Sequence, residues 1–218
     1  MTRAAAPTAR RRRRPADTLP ADFYARETEL VARDMLGAIL ECHSPEGVCA
    51  GRIVETEAYL GEHDPACHAA VGRTARTLPL YGPPGTAYVY FIYGMHWCVN
   101  AVTREEGLPS AVLVRALEPL DGIELMRRRR PGARRVEELT NGPARLCRAL
   151  GITGVHNGLS LQHPPLVVRR GRPIPDDAVA VTPRVGITKA AEWPLRWLVR
   201  DNAFVSARGP TEKTKPGR

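Results

Sequence analysis

The segment Gly51-Arg-Ile-Val-Glu-Thr-Glu-Ala-Tyr-Leu-Gly61 sets Glu55, Glu57 and Tyr59 at every second position after Ile53. Read as a strand, alternate side chains share a face, so two carboxylates and a phenol ring stand together. A solvent-facing strand accounts for that pattern. So does a site in which a carboxylate works beside a flat stacking surface, which suits a base-like substrate. A second run, from Pro84 to Asn100, carries Tyr88, Tyr90 and Tyr93. Aromatic residues of this kind are ordinary sheet formers. Tyr93, however, directly precedes Gly94 at the expected tip of a hairpin. A ring there is poorly placed for a core and well placed to wedge between base pairs. Asn100 is a lone amide in an apolar strand and needs a partner if buried.

The cysteines point to no further chemistry. Cys42, Cys49, Cys67, Cys98 and Cys147 are odd in number and contain no CxxC pair. Reduced thiols, rather than a disulfide framework, are expected. Cys42, His43, Cys49, Cys67 and His68 follow no standard zinc spacing. Lysine and arginine total 32 against 23 acids, a net charge of +9. Arginine dominates, and its planar fork suits phosphate. A basic balance fits a polyanionic partner, because phosphate contact releases condensed counterions. Arg127–Arg130, Arg145 and Arg148 are open to two readings, phosphate contacts or solvated helix faces.

The elements that must position these residues read as one α+β domain. Residues 1–20, with the run Arg10–Arg14, are expected to be a disordered basic tail, and 209–218 a flexible C-terminal tail. The domain itself spans 21–208. Thr28 is the expected cap of a first helix that Gly37 ends. Ala38–Cys42 and Cys49–Tyr59 form a strand pair around a Ser44–Gly47 turn. Residues 61–85 read as a long, glycine- and proline-broken loop, and such a loop is more often functional than idle. Thr86–Tyr93 and Trp97–Thr103 make the hairpin, and Ala111–Leu117 reads as a buried strand. Asp121–Arg130 is helical. Asn141 caps another helix, which Gly151 ends. Leu166–Arg169, Val179–Thr182 and Arg196–Val199 are further strands. The expected architecture is a mixed, largely antiparallel curved sheet flanked by helices, with a protruding β-hairpin.

Five stretches then identify a resemblance: RIVETEAYLGEHDPACHA, PPGTAYVYFIYGMHWCVNAV, VLVRALEPLDG, NGPARLCRALGI and TPRVGITKAAEWPLRWLVRDNAFVS. In this order, over about residues 21–206, they resemble bacterial members of the alkyladenine (3-methyladenine) DNA glycosylase family. The resemblance implies that Glu57 is a general base which activates water against the anomeric sugar carbon. It implies that Arg115, with a backbone carbonyl near Val185, holds that water. Tyr59, His68 and Tyr90 fall on positions whose rings sandwich a flipped base. Asn100 falls where the exocyclic amino group of guanine is crowded, and Tyr93 on the wedge that fills the gap in the duplex. Glu55 matches as well and reads as structural. The implied partner is double-stranded DNA containing damaged purines. The implied product is an abasic site, and no cofactor or metal is needed. Lysine is scarce, with Lys189 the main candidate nucleophile, so a monofunctional hydrolase is expected rather than a lyase.

Two other classes fit parts of the sequence. A basic RNA-binding module without catalysis accounts for the arginine-rich tail and the aromatic strands. A free-nucleoside hydrolase accounts for Glu57 without needing a wedge. No window approaches 18 uninterrupted apolar residues, so no membrane span is expected. No apolar stretch follows the basic N-terminus, so a cytoplasmic, nucleoid-associated monomer is the simple expectation.

Overall fold

The computed structural model describes residues 17–92 and 94–206. Its frame is an eight-stranded sheet: β1 (Ile39–Ser44), β2 (Gly47–Tyr59), β3 (Ala87–Ile92), β4 (His96–Thr103), β5 (Ser110–Asp121), β6 (Leu166–Arg169), β7 (Val179–Thr182) and β8 (Arg196–Val199). The main path runs β3-β4-β5-β2-β1-β6, with β8 joining β2 to β7. Every pairing among the described residues is antiparallel, in line with the largely antiparallel sheet expected. Short helices α1 (Ala21–Tyr24), α2 (Thr28–Asp34), α3 (Ile123–Arg129) and α4 (Pro143–Leu150) complete an α+β fold.

Strand alternation sorts the sheet into two faces. Ala87, Val89, Val99 and Ala101 enter the main core together with Leu146, Cys147 and Leu150 of α4. Each fully buried leucine there contributes about 1.5–3 kcal/mol relative to exposure. Tyr88, Tyr90 and Val102 turn to the opposite face and join a smaller cluster around Cys67, Leu80 and Tyr81. Proline at the first turn of α4 loses no hydrogen bond, and Gly151, at φ 79°, ends the helix in the left-handed region. The expected caps are not used. Thr28 lies inside α2, and its hydroxyl pairs with Thr103 Oγ1 at 2.9 Å. Asn141 stands one residue before the cap position, where its Oδ1 accepts from Arg145 at 2.7 Å.

The long strand β2 forks the sheet. One edge pairs with β5 along most of its length. The other pairs with β1 at Gly47–Arg52 and with β8 at Glu55–Glu57. At the fork the register jumps from Ile53↔Leu117 to Glu55↔Ala116 and then to Thr56↔Val114. Val54 and Arg115 are the extra residues, one on each strand. Such bulges re-aim side chains. Ile53 therefore faces the main core, and beyond the bulge so do Ala58 and Thr56, whose hydroxyl donates to the Ala32 carbonyl. Ile53 thus does not share a face with Glu57 and Tyr59, as uninterrupted alternation would require.

The chain also packs earlier than composition suggests. Leu19 is buried, its amide donates to Val168 O, and Thr18 bridges Arg169 of β6.

Candidate active site

Beyond the bulge, β2 carries Glu57 into a fully buried position. Its Oε1 accepts from the Val185 amide at 2.7 Å. Its Oε2 accepts from the Tyr59 hydroxyl at 3.0 Å and from Arg115 Nη1 at 3.1 Å. Burial pushes the carboxyl above its ordinary pKa of 4.5, and the three donors, Arg115 foremost, pull back only part of the way. A carboxylate so placed is a stronger proton acceptor than an exposed one.

Arg115 is the extra residue of β5, and Glu55 fixes it. Arg115 Nε donates to Glu55 Oε1 at 2.9 Å. Glu55 also accepts from Arg196 Nε at 2.7 Å, from Ser206 Oγ at 2.8 Å and from the Ser206 amide at 2.6 Å. Arg196, Glu55, Arg115 and Glu57 thus form a buried line of alternating charge. The solvent-facing reading of Glu55 and Glu57 fails, since neither has exposed area.

Next to Glu57 lies a cavity of about 340 Å³. Glu57 is not part of its lining, but all three of its partners, Tyr59, Arg115 and Val185, are. His68, Tyr88 and Tyr90 supply more rings, and Cys98, Leu113 and Ala111 an apolar surround. The His68 and Tyr90 centroids are 4.5 Å apart at 74°, too close and too steep to admit a ring between them. They stand edge to face in the lining, which Tyr59 shares. The Arg184 guanidinium lies 4.7 Å from the centroid of the Tyr59 ring. His68 Nδ1 shares a hydrogen bond with Tyr88 OH at 2.9 Å. Burial, and secondarily Arg76, hold His68 below its ordinary pKa of 6.5, so this part of the lining is neutral at pH 7. Asn100 also lines the cavity, with Nδ2 donating to the Tyr88 carbonyl at 3.0 Å. Its buried amide thus has the partner it required.

The fold therefore brings six of the seven sequence-derived site residues together: Glu57, Arg115, Tyr59, His68, Tyr90 and Asn100. The seventh, Tyr93, lies outside the described residues; near it on the hairpin, Phe91 and Met95 are exposed. The long loop earns its length by supplying Ala66, Cys67, His68 and Leu80 to the wall, with 3₁₀ turns at His68–Val71 and Leu78–Tyr81. Sequence reasoning missed Tyr88, Asp64, Arg184, Arg196 and Ser206. Tyr88 shares strand parity with Tyr90, and Arg184 adjoins Val185, which were usable signals; Asp64, Arg196 and Ser206 are joined to their partners by long-range folding. Arg129, from the basic run, is held by Glu46 at 2.6 Å, Ser44 and the Ala149 carbonyl, a structural role.

The five cysteines are free and buried. Among the described residues no group of three or more His, Cys, Asp or Glu side chains could hold a metal ion. No described helix is long and apolar enough to cross a membrane. Lys189 lies on an adjoining groove, and no lysine lines the cavity.

Comparison with known proteins identifies the family. The profile of the methylpurine-DNA glycosylase family matches residues 22–203. A relative from Myxococcus xanthus is 50% identical over 201 residues, covering 91% of this chain and 98% of the relative. One from Methanoculleus marisnigri is 51% identical over 194 residues, covering 88% and 100%. One from Salinibacter ruber is 47% identical over 207 residues, covering 89% and 99%. All three are named, provisionally, 3-methyladenine DNA glycosylases. The chain belongs to the methylpurine-DNA glycosylase family.

Proposed function

We propose that this protein removes alkylated or deaminated purines from duplex DNA by flipping the base into the cavity and hydrolysing its N-glycosidic bond. The observation that carries the reading is Glu57, buried and hydrogen-bonded to three residues of an aromatic-walled cavity. At about 340 Å³ the space falls at the small end of the ~300–1,000 Å³ range of ligand sites, suited to one flat bicyclic ring.

In this reading Glu57 takes a proton from water as the oxygen attacks the anomeric carbon, and the electron pair of the breaking C–N bond leaves with the purine, which departs neutral when it entered as a cation. Arg115 Nη1 and the Val185 carbonyl, themselves 3.5 Å apart, orient that water. The transition state resembles an oxocarbenium ion, which the Glu57 charge stabilises. Tyr59 stacks on one side of the base, and His68 with Tyr90 form the other wall. A cationic base such as 3-methyladenine gains ~1–2 kcal/mol from desolvated ring faces. Asn100 crowds the amino group of guanine, and Tyr93 fills the gap left in the duplex. Flipping costs a few kcal/mol, less for a damaged pair. No lysine adduct forms, so the product is an intact abasic site. A non-catalytic RNA-binding module would have no use for a carboxylate buried at this cost.

The test uses duplexes that each carry one lesion. Glu57→Gln is expected to bind them but to lose roughly a hundred- to ten-thousand-fold in single-turnover excision. Excision by that variant at the wild-type rate would remove Glu57 from the mechanism.

A further inference from the structure

Behind the cavity wall lies an ion pair that the chemistry above does not use. Arg184 and Asp64 have no exposed side-chain area. Arg184 Nη2 donates to Asp64 Oδ1 at 2.9 Å and Nη1 to Oδ2 at 2.5 Å; Nη1 also donates to the Ala58 carbonyl at 3.0 Å. Its guanidinium lies over the ring of Tyr59. Asp64 further accepts from the Leu60 amide at 3.1 Å and the Ala66 amide at 3.0 Å, at the base of the loop that leads to His68. Arg184 immediately precedes Val185, whose amide holds Glu57. One pair therefore joins the end of β2, the loop bearing His68 and the turn bearing Val185. A buried pair seldom adds net stability over an apolar filling of the same shape. Among the described residues, Arg184 Nε also has no hydrogen-bond partner.

We propose that Arg184 and Asp64 are positioning residues for the reaction: they fix the Tyr59 ring and the Val185 amide, and so the cavity wall and the orientation of Glu57. The inference rests on the glycosylase reading above. Neither residue of the pair lines the cavity. The pair's effect is transmitted through residues that do, and misplacement of a reacting group by about 1 Å can cost a hundredfold in rate.

The test compares the full-length wild-type protein with Arg184→Met, Arg184→Lys and, as a control, Arg169→Met. Arg169 and Glu41 form a second buried pair, on β6 and β1, away from the cavity. Single-turnover excision is measured on a lesion duplex at a temperature where circular dichroism finds each variant fully folded. Affinity for the same duplex is measured alongside. Arg184→Met is expected to lose roughly a hundredfold in rate while duplex affinity changes by less than about threefold, and Arg184→Lys to recover part of the rate. Arg169→Met should keep the wild-type rate once folded. Equal losses for the two methionine variants, or a folded Arg184→Met at the wild-type rate, would overturn the proposal. If Arg184→Met fails to fold, Arg184→Lys decides, since a wild-type rate for it would also overturn the proposal. Failure of the wild-type protein to excise any lesion would instead strike the glycosylase reading.

Discussion

At the scale of single residues, the protonation of Glu57 governs the predicted pH dependence. The working form of a general base is the deprotonated one, and burial lifts the Glu57 carboxyl above 4.5. Single-turnover excision should therefore fall as pH is lowered through a value above 4.5, at a higher pH than an exposed glutamate would give. A rate–pH profile flat down to pH 4.5 would contradict this. Asn100 makes a second prediction. Asn100→Ser shortens the side chain that faces the cavity, and excision of guanine-derived bases should rise relative to adenine-derived ones. Discrimination by a small group is worth about 1–3 kcal/mol, so the ratio should shift by about tenfold or more in a mixed-lesion competition. The identity of these residues was legible in the sequence. The edge-on contact of His68 with Tyr90 was not, because ring orientation follows from packing between the long loop and β3.

At the scale of elements, the paired irregularity in β2 and β5 takes both carboxylates off the core face that Ile53 occupies. Glu55 and Glu57 look equivalent in the sequence, two residues apart on one strand. The extra residue Val54 turns Glu55, Glu57 and Tyr59 together away from the core face of Ile53, and one further step along the strand then separates the two acids: Glu55 anchors Arg115, Arg196 and Ser206, while Glu57 meets residues of the cavity wall. Removing one partner of a buried charge cluster costs about 3–5 kcal/mol. Glu55→Ala should lower stability by that order in denaturant unfolding. It should also reduce excision at temperatures where the protein remains folded, because Arg115 loses its orienting acceptor. A stability loss below about 1 kcal/mol would show that the cluster is not held by Glu55. Strand positions were readable from β-branched and aromatic runs, and β6, β7 and β8 fall where those runs predict. The bulge was not readable, since nothing in Val-Glu-Thr-Glu marks a break in alternation. The two missed caps have different causes: Thr28 is taken by a tertiary partner, Thr103, and Asn141 by a side chain of the helix it precedes, Arg145 four residues on.

At the scale of the whole molecule, the antiparallel sheet assigns one face to the core and the other to the cavity, and the +9 charge suits a polyanionic substrate. The run Arg10–Arg14, expected to be a solvated basic tail with non-specific phosphate tethering as its functional reading, lies outside the described residues; the tethering reading is the one tested by deletion. Deleting residues 1–16 should leave excision at saturating enzyme unchanged. It should weaken binding to undamaged duplex and flatten the dependence of log K on log salt by up to about five phosphate contacts. Loss of all nucleic-acid binding on that deletion would favour a binding module over an enzyme. The central claim is more direct: a buried carboxylate at an aromatic cavity cuts the bond to a flipped purine. Wild type and Glu57→Gln should be incubated with duplexes bearing 3-methyladenine, 7-methylguanine, hypoxanthine or ethenoadenine, and alkali-labile sites counted. The account predicts such sites for at least one lesion with the wild-type protein and a loss of at least about a hundredfold with the variant. No sites on any duplex, or equal rates for the two proteins, would contradict it.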